Sequence, residues 1–229
     1  ASWGMHRMGD AGAKMPKFEV FQNSILTKNN MEIYEKWRGK TVDDISDSNL
    51  TDLIKDMTHV CFSIEATEGK SKLVSSSKTL AHILPDLVPP IDRQYTLQFF
   101  YGTKNHPINT NDDGQKVFEY VMRYMYDLYR KNEGFKNLAL NTLTEGGDFC
   151  SSLPKIFDNL VINCVRKGIT LKKIVYYFHV IFTQTWKLIT ERIKIVFSHK
   201  HNLLICIFYI FVKFIDNIHI TNIIFPCLC

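Results

Sequence analysis

Three prolines within six residues, Pro85, Pro89 and Pro90, cut the middle of the chain into two helical pieces joined by an elbow. On the amino side Leu73, Ser77, Leu80, Ala81 and Leu84 recur at helical spacing, so residues 73–84 are predicted to form a helix with one apolar face. Pro85 ends it, because proline lacks the backbone N–H and its ring clashes with the preceding turn. Pro89 holds Val88 extended, and Pro90 is expected in the first turn of a second helix, where its missing donor is harmless. Asp92 falls at the positive end of that helix, whose apolar face is Ile91, Tyr95 and Phe99. No stretch of residues 1–170 alternates as a half-buried strand would. The fold class expected is therefore all-α: a single helical domain of about seven helices, with a basic, apolar C-terminal tail.

The same periodicity places the other helices. Residues 17–28 and 31–37 read as two short amphipathic helices. Residues 49–64 form a third, capped by Ser48, with Leu50, Leu53, Ile54, Met57, Cys61 and Ile64 on its face. Residues 102–114 contain Gly, Pro, Asn and Asp without an apolar period and read as a loop. Residues 114–131 form the clearest helix, through Val117, Val121, Tyr124 and Leu128. It is rich in tyrosine (120, 124, 126 and 129), which suits half-buried packing with a wet hydroxyl, or base stacking if the rings are exposed. Residues 132–150, with Gly146-Gly147, read as a loop. Residues 153–167 form the next helix, capped by Ser151 or Ser152, with Pro154 in its first turn and Gly168 just past its end.

Charge divides the chain at the same place. Residues 1–170 hold 21 Lys and Arg against 21 Asp and Glu, whereas residues 171–229 hold 7 against 2 and so carry the whole net charge of +5. Residues 1–168 are accordingly read as the helical domain and 169–229 as a tail of doubtful integrity. Because the first residue is not Met, the domain is expected to start inside a longer or processed chain. The tail contains thirteen isoleucines and neither Gly nor Ala. Its run 203–212 is wholly apolar but too short to span a bilayer, which needs about 20 residues, and extending it to 225 takes in Lys213 and Asp216. Three readings of the tail stand open: an interfacial membrane anchor, a packed extension of the domain, and a reading-frame accident of A/T-rich codons.

Several chemistries are missing from the sequence. The six cysteines form no C-x-x-C pair, which argues against a disulfide scaffold and a structural zinc and fits a reducing, cytoplasmic location. Residues 1–8 do not open as a signal peptide does. Gly4-x-x-x-x-Gly9 is followed by Asp10 rather than Lys, so residues 1–16 read as a loop and not a phosphate loop. There is no H-E-x-x-H and no G-x-S-x-G, and no metal or cofactor is expected. His82 and Asp86 stand four apart, but Pro85 breaks the helix between them, and they read as a solvated pair.

The candidate site lies at the two ends of the elbow. Lys78 near the start of one helix and Asp92 at the start of the next can be brought together, as amine nucleophile and carboxylate base. Ser75, Ser76, Ser77 and Arg93 flank them as candidate binding residues. The segment S-K-x-L-x-H-x-L-P-x-L-x-P-P-x-D-R, from Ser77 to Arg93, resembles a recurring segment of poorly characterised prokaryotic helical proteins. More distantly, Lys78 and Pro90-Ile91-Asp92 are similar to the lysine and the Pro-x-Asp of helix–hairpin–helix DNA glycosylases. Where that superfamily has Leu-Pro-Gly-Val-Gly before the lysine, this chain has Leu73-Val74-Ser75-Ser76-Ser77, and its Lys-to-Asp interval is shorter. The resemblance implies a glycosylase- or lyase-like enzyme acting on DNA through Lys78 and Asp92. Beside it stand an all-α module with nucleic acid as its expected partner, and a membrane-associated protein acting through residues 203–225. The balanced charge of residues 1–170 counts against strong phosphate binding.

Overall fold

The computed structural model describes residues 15–68, 72–145 and 151–177, with residues 180, 183 and 184 beyond them. Among these, eight α-helices follow one another: α1 (Phe18–Ile25), α2 (Lys28–Trp37), α3 (Asp47–Ser63), α4 (Leu73–Ile83), α5 (Gln98–Tyr101), α6 (Asn111–Lys131), α7 (Glu133–Glu145) and α8 (Leu153–Arg166). A 3₁₀ turn at Val42–Asp44 leads into α3, and a π turn at Arg93–Leu97 runs directly into α5. No strand occurs among the described residues, so the all-helical reading holds for them.

Helices α3 and α6 form the centre. Both are long and apolar on one face, and they pack on each other, with α4 against both. Leu53, Met57 and Val60 of α3 meet Phe118, Val121, Met122 and Met125 of α6 in one continuous core that also takes in Leu73 and Leu80 of α4. Helices α1 and α2 lie on α3, while α8 packs against α7, α5 and the π turn. The tyrosines of α6 favour packing. Tyr126 and Tyr129 are buried, Tyr126 donating to the Leu87 carbonyl at 3.2 Å and Tyr129 to Asp43 Oδ1 at 2.8 Å. Of the four, only Tyr120 is substantially exposed, at 43%.

Several boundaries differ from the sequence expectation. The segment 132–150, expected as a loop, contains α7. Only Phe135 and Ala139 of this helix are buried, so its apolar period was too thin to read. Its start is nonetheless marked: Asn132 ends α6 and then accepts the Phe135 N–H on Oδ1 at 2.7 Å. Helix α3 is capped by Ser46, whose hydroxyl accepts from Asn49 N–H, and Ser48 hydrogen-bonds to that cap rather than serving as it. Pro90 sits in irregular chain two residues before the cap of the next helix, not in its first turn. The reason is Asp92, whose carboxylate takes the Tyr95 N–H and starts the helix after the prolines. Helix α8 begins as expected, capped by Ser152 with Pro154 in its first turn, and Gly168 follows its end at φ 72°, a left-handed conformation that glycine adopts at little cost.

Beyond α8 the backbone is helical again over residues 171–177, with the Thr170 hydroxyl accepting the Lys173 N–H. Ile169, Leu171 and Ile174 pack against the core, while Val175, Tyr176 and Tyr177 face outward. The opening loop expected at 1–16 falls almost wholly outside the described residues, and so do Gly146-Gly147 and the apolar run 203–212. No helix among the described residues is long and apolar enough to cross a membrane.

Candidate functional site

The elbow between α4 and the π turn is mostly buried backbone, which must find hydrogen-bond partners. Leu87 and Val88 N–H close a turn onto the Leu84 carbonyl. Three side-chain hydroxyls, one from each surrounding helix, do the rest. Ser77 of α4 accepts the Ile91 N–H at 3.3 Å, Tyr126 of α6 reaches the Leu87 carbonyl, and Ser152 at the start of α8 donates to the Pro85 carbonyl at 2.9 Å. The elbow is therefore held on three sides, and the surface it shares with α4 and α8 is a set geometry rather than a loose loop.

That surface is a pocket of about 340 Å³. Lys78, Ala81 and His82 of α4 form one wall, Val88, Pro90 and Asp92 the floor, and Ser151, Ser152, Lys155 and Asp158 the opposite wall. The structure thus brings Lys78 and Asp92 to one cavity. Lys78 is half-buried, and its ammonium makes no hydrogen bond or ion pair with the described residues. Asp92 is held from several directions: Oδ1 accepts the Tyr95 N–H at 2.6 Å, its own N–H donates to Thr96 Oγ1 at 3.1 Å, and its carbonyl accepts the Leu97 N–H at 3.0 Å. The last bond spans five residues and makes the turn a π turn, a form that recurs at functional sites.

The other candidate residues are placed differently. Ser76 and Ser77 are buried, and Ser76 donates to the Ile64 carbonyl at 3.0 Å. The Ser75 hydroxyl lies between Thr67 Oγ1 and the Lys72 carbonyl. Arg93 is exposed and donates to the His106 carbonyl at 3.2 Å. All four side chains are engaged within the protein. His82 and Asp86 lie on opposite sides of Pro85: His82 faces the elbow pocket, while Asp86 lines a second cavity of about 250 Å³ beside Tyr34, Trp37 and Lys40.

Sequence reasoning missed Lys155 and Asp158. Asp158 is buried, yet it lines the pocket and pairs with Lys155 at 2.7 Å. Burial raises its carboxyl above the ordinary aspartate range; the Lys155 hydrogen bond and charge act the other way, as does Lys78, while Asp92 adds to the rise. One signal was available: Pro154, Asp158 and Val161 lie on one row of α8 among buried apolar residues, where a lone acid is out of place. Among the described residues no group of three or more His, Cys, Asp or Glu is gathered to hold a metal ion. No protein family, curated protein or solved structure matches this chain.

Proposed function

We propose that this helical protein is a lyase-like enzyme whose site is the elbow pocket, and that Lys78 forms an imine with a carbonyl-bearing substrate. What supports the reading is one observation: Lys78 and Asp92, on separate elements, line the same pocket. A lysine amine and a carboxylate that line one cavity can serve as imine-forming nucleophile and proton-transfer group. A cavity of about 340 Å³ suits a small ligand or one extruded sugar, not a length of duplex. The opened sugar aldehyde of an abasic nucleotide and small keto or aldehyde metabolites are therefore the substrate classes to test. Borohydride added during incubation should trap a covalent adduct that mass spectrometry maps to Lys78, and Lys78→Ala should abolish it. A folded, DNA-binding protein that yields no Lys78 adduct with any of these carbonyls would leave only the reading of a non-catalytic helical module. The membrane reading depends on residues 203–225, which lie outside the described residues.

A further inference from the structure

We infer that Asp158 is the carboxyl that transfers protons for Lys78, and that Asp92 positions the site without taking part in the chemistry. The inference rests on the imine-forming reading of the pocket. Two carboxylates share the cavity, and the structure treats them differently. Asp92 caps the π turn: one carboxylate oxygen is bound to the Tyr95 N–H, and its backbone is fixed by Thr96 and Leu97. That oxygen is fixed by the turn it caps, so the side chain is tied to the floor of the cavity. Asp158 serves as no cap. It projects from the second turn of α8 into the cavity opposite α4, where its carboxylate pairs with Lys155 at 2.7 Å.

The charged groups acting on Asp158 are Lys155 from its own helix, Lys78 from α4 and Asp92 from the floor, and His82 of α4 lines the same pocket. Its burial favours the protonated form, which suits a proton donor. The proton balance runs through one carboxyl. The neutral Lys78 amine attacks the carbonyl carbon, forming the C–N bond as the carbonyl electrons move to oxygen. Asp158 gives its proton to that oxygen and takes one back from the nitrogen, leaving a neutral carbinolamine. It then protonates the hydroxyl, the nitrogen lone pair forms the C=N bond, and water leaves. The products are an iminium ion, an Asp158 carboxylate and one water.

The test compares Asp158→Asn, Asp158→Glu and Asp92→Asn with the unaltered full chain. The probes are pyruvate, glyceraldehyde and an abasic-site oligonucleotide with cyanoborohydride, the readout being the rate of adduct formation at Lys78. Asparagine caps a helix as well as aspartate does, so Asp92→Asn should fold, and whatever its rate it should keep the pH dependence that Asp158 confers. Asp158→Asn should slow trapping by roughly 100-fold, the lower end of what a positioned acid–base group contributes. Asp158→Glu should recover part of the loss. The pH profile separates chemistry from structure. With Asp158 present, log rate rises with pH and then levels once Asp158 loses its proton. In the Asp158→Asn protein that bend should vanish and the rise continue. An unchanged rate and profile in Asp158→Asn, or a loss confined to Asp92→Asn, would overturn the assignment while leaving the pocket reading intact. No Lys78 adduct in the original protein would overturn both.

Discussion

Ser77 shows how a polar side chain in an apolar stripe is to be read. It sits at helical spacing with Leu73, Leu80 and Leu84, so periodicity alone put it on the buried face of α4. What periodicity could not supply was its partner, the Ile91 N–H fourteen residues further on, whose hydrogen bond exists only once the elbow has folded back. The consecutive serines 75–77 suggested a binding cluster. Consecutive residues on a helix point in different directions, however, and the buried hydroxyls of Ser76 and Ser77 go to backbone groups. Ser77→Ala would leave the Ile91 N–H buried and unpaired, at a cost of about 1–3 kcal/mol. A urea titration should show this as a lower midpoint with an unchanged slope. Lys78→Ala, one residue away but only half-buried, should stay within about 0.5 kcal/mol of the original protein. A similar loss in both variants would mean that Ser77 does not hold the elbow.

At the scale of elements, most helices are legible in the sequence to within a few residues, the short α1 and α2 included, and α7 is the exception. Helices α4, α6 and α8 each bury several residues along one face and were found. Helix α7 buries two, and its sequence reads as a loop. The site was partly readable for the same reason. Lys78 and Asp92 are neighbours across a proline-bounded elbow, so local chain geometry brought them close. Asp158 arrives from a helix that follows a long excursion through α6 and α7, and only tertiary packing sets it opposite Lys78. Helix α4 owes its position to Leu80, fully buried against the core formed by α3 and α6, with Leu84 also buried at its end. Leu80→Ala should destabilise the protein by about 2–5 kcal/mol, the range for truncating a core leucine. If a denaturant titration gave less than about 0.5 kcal/mol, α4 would not be anchored through that face, and the Lys78 wall of the pocket would be free to move.

For the whole molecule the open quantity is how much of the chain the fold requires. Composition changes at residue 171, but packing does not stop there, because Ile169, Leu171 and Ile174 still lie against the core and Thr170 caps the helical run over residues 171–177. The stop at Gly168 is local. It ends α8 by a left-handed turn, with its N–H bonded to the Val165 carbonyl at 2.9 Å and the Ile169 N–H to that of Cys164 at 2.8 Å. A protein ending at Gly168 would keep α8 and the pocket but lose three partly buried aliphatic side chains, each worth about 1 kcal/mol at half burial. It should therefore unfold cooperatively at a lower midpoint. A protein ending at Tyr177 keeps those contacts and should unfold at nearly the midpoint of the full chain. Both should retain Lys78 trapping, since every described pocket residue precedes Gly168. Liposome flotation then tests the rest: if residues 203–225 bind a membrane surface, only the full chain floats. Loss of the cooperative transition in the protein ending at Tyr177 would show that the fold depends on residues further along, and that the compositional boundary is not a structural one.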